Sequence, residues 1–147
     1  VSLFLNIAVI IISQCYMVHL AVKKVANKAE EYWRRERYEF FSGLGPVITC
    51  HHLDDCVETY IHSALNGTPK VIPLTRNNVL RPFLTTRKQE FIYWCESHNV
   101  PWIEDESNKN SRYTRNYIRN ELMPHALHVN PGLHTLVKKI VEGKKNT

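Results

Sequence analysis

The chain has 147 residues, 44% hydrophobic and 22% charged, which suits one folded domain or part of one and excludes wholesale disorder. Lys and Arg number 19 against 14 Asp and Glu, a formal charge of +5 that favours a polyanionic partner without requiring one. Five Gly and seven Pro exclude collagen-like and linker compositions, and four Cys without a CxxC pair point to free thiols in a reducing, cytoplasmic setting.

Residues 1–21 are the most apolar stretch, with Leu3, Phe4, Leu5, Ile7 and the run Val9, Ile10, Ile11, Ile12. They open on Val rather than Met and are read as a buried strand or helix; by length alone a membrane span is the alternative. Residues 26–41 carry a helical pattern anchored by Trp33, Phe40 and Phe41, ended by Gly43, Gly45 and Pro46. Residues 47–50 read as a buried strand, and a helix follows to about Leu65, with Asp54 and Asp55 suited to its N-terminus. Residues 73–78 read as loop and 79–83 as a short extended segment. Thr86 with Gln89 forms a capping box for a helix to Ser97. An extended segment at 100–103 and a polar turn at 107–110 come next. A helix at 112–122 is limited by Pro124. Asn130 and Pro131 cap a last helix whose Leu133, Leu136, Val137, Ile140 and Val141 form one apolar face. Strands alternate with helices first and helices dominate later, so the expected class is α/β with a C-terminal helical extension.

Three constellations carry candidate chemistry. In the run 50–59, Asp55 and Glu58 lie one helical turn apart where a strand gives way to a helix. Carboxylates there suit holding magnesium, orienting an amine or taking a proton; capping the helix is the simpler alternative. Cys50, His51, His52 and Cys56 are zinc-ligand types, but no second ligand pair completes a zinc site. In the run 30–38, Arg34 and Arg37 are spaced to grip phosphates, or to sit in water paired with Glu30 and Glu31. In the run 112–120, Arg112, Arg115 and Arg119 share a helix face beside Asn116, with Tyr113 and Tyr117 on another. That pattern suits phosphate contact and base stacking, or an ordinary solvated helix face.

In their order these segments resemble the tRNA(Ile)-lysidine synthetases, within the PP-loop ATPases of the adenine-nucleotide α-hydrolase-like superfamily. Residues 30–38 are similar to the family's E-x-x-A-R-x-x-R-Y helix, with Trp33 in place of the small residue. Residues 51–59 are similar to H-H-x-D-D-x-x-E-T. Residues 105–124 are similar to D-x-S-N-x-x-x-R-[YF]-x-R-N-x-x-R, and the Arg81–Pro82–Phe83–Leu84 run to Arg-Pro-Leu-Leu. The family's S-G-G-x-D-S phosphate loop has no counterpart in these 147 residues. The resemblance therefore implies an incomplete Rossmann-like parallel sheet: an unassigned segment at 1–16, a partial PP-loop domain at 17–104 and a helical tRNA-contacting extension at 105–147.

The implied reaction uses ATP and Mg2+ to adenylate C2–O of the wobble cytidine in a tRNA(Ile) with a CAU anticodon. Free L-lysine then attacks C2 through its ε-amine. By resemblance, Asp55, Glu58 and His51 are catalytic, with Asp55 also a metal ligand. Arg34, Arg37, His51 and Asp54 would meet ATP, and Arg81, Arg112, Arg115, Asn116 and Arg119 would meet tRNA. A homodimer is compatible and a membrane is not expected. The alternatives are a non-catalytic tRNA- or partner-binding remnant, and a 2-thiocytidine-forming PP-loop enzyme, which would favour a CxxC pair.

Overall fold

The computed structural model describes residues 30–103, 108 and 111–143. The apolar segment 1–21, most of the polar turn at 107–110 and the lysine-rich tail lie outside them, as do the side chains of Glu30, Glu31 and Trp33. Two compact units divide the chain: Val1–Cys50 with Thr75–Pro82, and His51–Leu74 with Phe83–Thr147.

The first unit holds helix α1 (Glu30–Ser42) and strands β1 (Val47–Ile48), β2 (Thr75–Arg76) and β3 (Val79–Leu80). The sheet order is β1-β3-β2, with β1 parallel to β3 (Val47 opposite Val79) and β2 antiparallel to it. The sheet is thus small and mixed, with one parallel and one antiparallel pair. β2 forms within residues expected to be loop. Both of its residues are exposed and polar, so no apolar pattern announces it; pairing with β3 creates it. Asn77 takes the positive φ of 54° that the two-residue turn requires, a conformation Asn tolerates. Asn78 Nδ2 lies 2.6, 3.1 and 2.9 Å from the carbonyls of Phe41, Leu44 and Gly45, which satisfies acceptors that the end of α1 leaves open. Phe41, Val47 and Val79 form this unit's core.

The second unit is helical. It holds α2 (Leu53–Leu65), α3 (Lys88–Ser97), α4 (Thr114–Tyr117), a π-helical turn (Ile118–Leu122), α5 (Met123–Val129) and α6 (Leu133–Gly143). Leu53, Cys56 and Val57 of α2 meet Val71, Leu84, Met123 and the α6 residues Leu133, Val137 and Val141 in one core. The i, i+4, i+8 spacing of the α6 residues puts them on one stripe. Leu136, expected on that stripe, is 41% exposed, because its position turns it off the line of 133, 137 and 141.

Pro124 does not end its helix. α4, the π turn and α5 run on without a break, with Pro124 in the first turn of α5, and the Met123 N–H reaches the Ile118 carbonyl across the wider i→i+5 ring. A π turn just before a proline loosens the spacing where its ring would otherwise clash with the preceding turn. The box that starts α3 is also shifted by one residue. Arg87 N–H donates to Glu90 Oε1 at 2.8 Å, an ionised acceptor that Gln89 cannot match. Residues 100–103 form no strand, and Ile103 is 96% exposed. Among the described residues no helix is long and apolar enough to cross a membrane. Cys50, Cys56 and Cys95 are free thiols.

Candidate functional site

The second unit gathers a connected set of charged side chains around α2. At its start, His52 N–H donates to Asp55 Oδ2 at 2.9 Å, closing the first turn of α2. Asp54 turns the other way. Its Oδ2 accepts the Lys88 N–H at 2.7 Å, and its Oδ1 lies 3.0 Å from His134 Nε2. One carboxylate thus ties the first turn of α2 to the start of α3 and to α6.

One turn on, Glu58 is 1% exposed. Arg119 grips it with both prongs, Nε to Oε1 at 2.6 Å and Nη2 to Oε2 at 3.0 Å. Arg115 Nε stands 3.4 Å from Oε2. Planar two-point pairing of this kind fixes the guanidinium plane as well as its charge. Arg119 also reaches Asp55 Oδ1 at 3.7 Å and Asn108 Oδ1 at 3.2 Å. Arg115 Nη2 reaches Thr59 Oγ1 at 3.4 Å. Both arginines come from the segment spanning α4 and the π turn, an irregularity frequent at functional sites.

The titration behaviour follows from these contacts. Burial pushes the Glu58 carboxyl up, against the pull of Arg119. Burial works against the charge on Arg119, but the Glu58 carboxylate outweighs it and holds the guanidinium protonated. Burial also acts to raise Asp54, yet hydrogen bonds from His52, the Lys88 N–H and His134 together hold it far below the usual carboxylate range. His52 is disfavoured as a cation by burial, but Asp54 and Asp55 outweigh that and raise its pKa above the ordinary imidazole value.

A pH dependence of stability follows. A carboxylate with a depressed folded-state pKa stabilises the fold above its unfolded value, about 3.9, and loses that contribution as pH falls. An imidazole with a raised pKa stabilises fully below about 6.5 and loses its contribution as pH rises through the folded value. From these two groups, melting temperature should fall below about pH 4 and again above about pH 6.5. His52→Gln should flatten the neutral-side slope; an unchanged slope in thermal melts would contradict the assignment.

The residues named from the sequence divide between the units. Asp54, Asp55, Glu58, Arg115 and Arg119 converge in the second. His51 sits half-buried just before α2, Asn116 is half-buried on α4, and Arg112 is exposed ahead of it. Arg34, Arg37 and Arg81 belong to the first. There Arg34 is exposed, with its guanidinium carbon 5.7 Å from the Tyr38 ring centroid; Arg76 approaches the same ring at 5.4 Å. Arg81, expected to face tRNA, is 1% exposed and donates to the Tyr38 hydroxyl at 2.5 Å. His134 and Arg76 were not singled out by sequence. His134 meets Asp54 across 80 positions, a pairing no local pattern encodes.

Among the described residues no three His, Cys, Asp or Glu side chains are gathered to hold a metal. Asp55 spends Oδ2 on the His52 N–H and has Arg119 beside Oδ1. These residues do not by themselves fit a magnesium ion.

A family model described as a PP-loop domain matches residues 5–126. The chain is similar to the tRNA(Ile)-lysidine synthase of Thermotoga maritima, 33% identical over 129 residues, covering 81% of this chain and 31% of that protein. The enzyme of the same name from Legionella pneumophila (strain Lens) is 37% identical over 116 residues, covering 71% and 27%. That of Staphylococcus aureus (strain MRSA252) is 35% identical over 112 residues, covering 67% and 26%. The chain spans less than a third of the length of these relatives.

Proposed function

This chain belongs to the PP-loop family, and from that premise we propose that it carries the lysine- and tRNA-handling part of a lysidine-forming tRNA ligase. The reaction would be ATP-dependent: the cytidine C2 oxygen is adenylated with loss of pyrophosphate, then the lysine Nε attacks C2 and AMP leaves with that oxygen. The observation that carries the reading is the convergence of Asp55, Glu58, Arg115 and Arg119. These are the positions that the sequence motifs match.

In this reading Asp55 is the carboxylate that meets the lysine amine. It is the more open of the two, at 16% side-chain exposure against 1% for Glu58. An amine must shed a proton to attack, and a carboxylate within hydrogen-bond reach can accept it. Glu58 fixes Arg119 and Arg115, whose remaining donors suit the phosphate and anticodon oxygens of tRNA. Contact of Glu58 with the lysine itself would require exchange of one of those bonds. His51 borders the same helix start and would flank the base. In the first unit, Arg34 and Arg76, both exposed and both against the Tyr38 ring, offer guanidinium donors whose chemistry fits the phosphates of ATP. Arg37 is a half-buried second candidate there. A homodimer and a cytoplasmic location remain part of this reading.

A second reading, a non-catalytic tRNA binder, rests on the same arginines, Arg115 and Arg119, without the chemical step. One experiment separates the two. The protein is titrated with a tRNA(Ile) bearing CAU at rising salt, then incubated with ATP and lysine, and nucleosides are analysed by mass spectrometry. Binding that weakens steeply with salt, together with lysidine, is the expected result. Binding without product selects the non-catalytic reading, and no binding overturns both.

A further inference from the structure

Helix α6 buries the apolar residues Leu133, Val137 and Val141, and beside them one imidazole, His134. Packing alone does not call for it, because an aliphatic side chain would fill that position with no polar atom to satisfy. His134 Nε2 lies 3.0 Å from Asp54 Oδ1. An ionised carboxylate only accepts, so Nε2 carries the proton of this bond. The other oxygen, Asp54 Oδ2, accepts the Lys88 N–H at 2.7 Å and stands 3.5 Å from His52 Nδ1. Both oxygens of Asp54 are thus engaged within the second unit. A further tie, from the Leu53 N–H to the Thr86 carbonyl at 2.8 Å, joins the same turn to the residues ahead of α3.

Asp55 comes next in the chain. Successive side chains on a helix point about 100° apart. Asp54 therefore faces α3 and α6, while Asp55 faces the His52 N–H and Arg119. Apolar contact between α2 and α6 sets their separation, but that attraction has no direction and leaves the rotation of α2 weakly fixed. Hydrogen bonds are directional, and those at Asp54 supply what the apolar contact lacks. We propose that His134 is a positioning residue: through Asp54 it sets the rotation of the first turn of α2, and so the direction of the Asp55 carboxylate. Asp54 then holds the turn, where the resemblance would give it to ATP. This role rests on the reading of Asp55 as the carboxylate that meets lysine.

The test uses the whole chain with two variants. His134→Leu fills the position without a donor, and His134→Gln offers an amide that can reach Asp54 again. Lysine affinity is read by calorimetry and amide hydrogen exchange by NMR. In His134→Leu the amides of Lys88 and His52, which donate to Asp54 and Asp55, should exchange about tenfold faster, while those of α6 such as Val141 keep their rates. Lysine affinity should fall about tenfold, the order expected when one hydrogen bond to a charged group is lost. His134→Gln should recover most of both. On an Asp54→Asn background, His134→Leu should cost nothing further, because its effect passes through that carboxylate. Wild-type exchange or wild-type lysine affinity in His134→Leu, faster exchange spread evenly over the second unit, or a loss that His134→Gln leaves in place would overturn the proposal. Wild-type lysine affinity in Asp55→Asn, or no lysine binding by the unaltered chain, overturns the lysine reading instead, and exchange at Lys88 and His52 still decides whether His134 holds the turn.

Discussion

Arg119→Ala is expected to destabilise the second unit by about 3–5 kcal/mol, the cost of leaving a buried charge without its partner. Glu58 is 1% exposed and takes both of its short bonds from Arg119. Once that side chain is gone, the carboxylate must protonate, draw in water or lean on Arg115 at 3.4 Å. That remaining arginine places the loss nearer the lower bound. A domain has only about 5–15 kcal/mol of net stability, so the change would be visible in urea unfolding followed by circular dichroism. The double variant Glu58→Gln with Arg119→Gln should recover much of the loss, because no uncompensated charge is left. A single-variant loss under about 1 kcal/mol would place this pair among ordinary surface ion pairs.

Asp55→Asn is expected to remove lysine handling while sparing the fold. The amide oxygen can still accept the His52 N–H that starts α2, so the local turn keeps its bond. The charge that would draw an ammonium and take its proton is gone. General-base contributions run to roughly 10²–10⁴ in rate, and lysidine yield should fall by that order. Lysine affinity, measured by calorimetry, should fall at least tenfold, a readout that does not depend on turnover. Asp55→Ala should do the same and also cost about 1 kcal/mol through the lost helix-start bond. Near-normal lysine binding and product in Asp55→Asn would sink the role given to this carboxylate.

The two changes act on neighbouring groups with different burdens. Asp55 is partly open, is held lightly by Arg119, and is free to exchange that contact for a substrate. Glu58 is enclosed, and its two arginines are what its burial requires. Such a division, one carboxylate exposed to the reacting group and one locked beneath it, arises from a single turn of α2 packed beside the π turn. The π turn comes just before Pro124, which the chain passes through instead of ending there.

Much of this was determined by the sequence alone. The spacing of Leu133, Val137 and Val141 fixes which stripe of α6 is buried, because side chains four apart stack on one face. Gly and Pro mark the ends of α1 and α2, and the ordered motifs point to the PP-loop family before any coordinate is known. The pairing of Asp55 and Glu58 on one helix turn is likewise local, and so readable. What only the tertiary structure decided is what those groups touch. Glu58 finds Arg119 across 61 positions and Asp54 finds His134 across 80. β2 exists only because β3 lies beside it, and Arg81 is enclosed against Tyr38 instead of facing outward. The reason is the reach of the forces involved. Periodicity and capping act within a few residues along the chain, whereas charge pairing and burial act between whichever surfaces packing brings together.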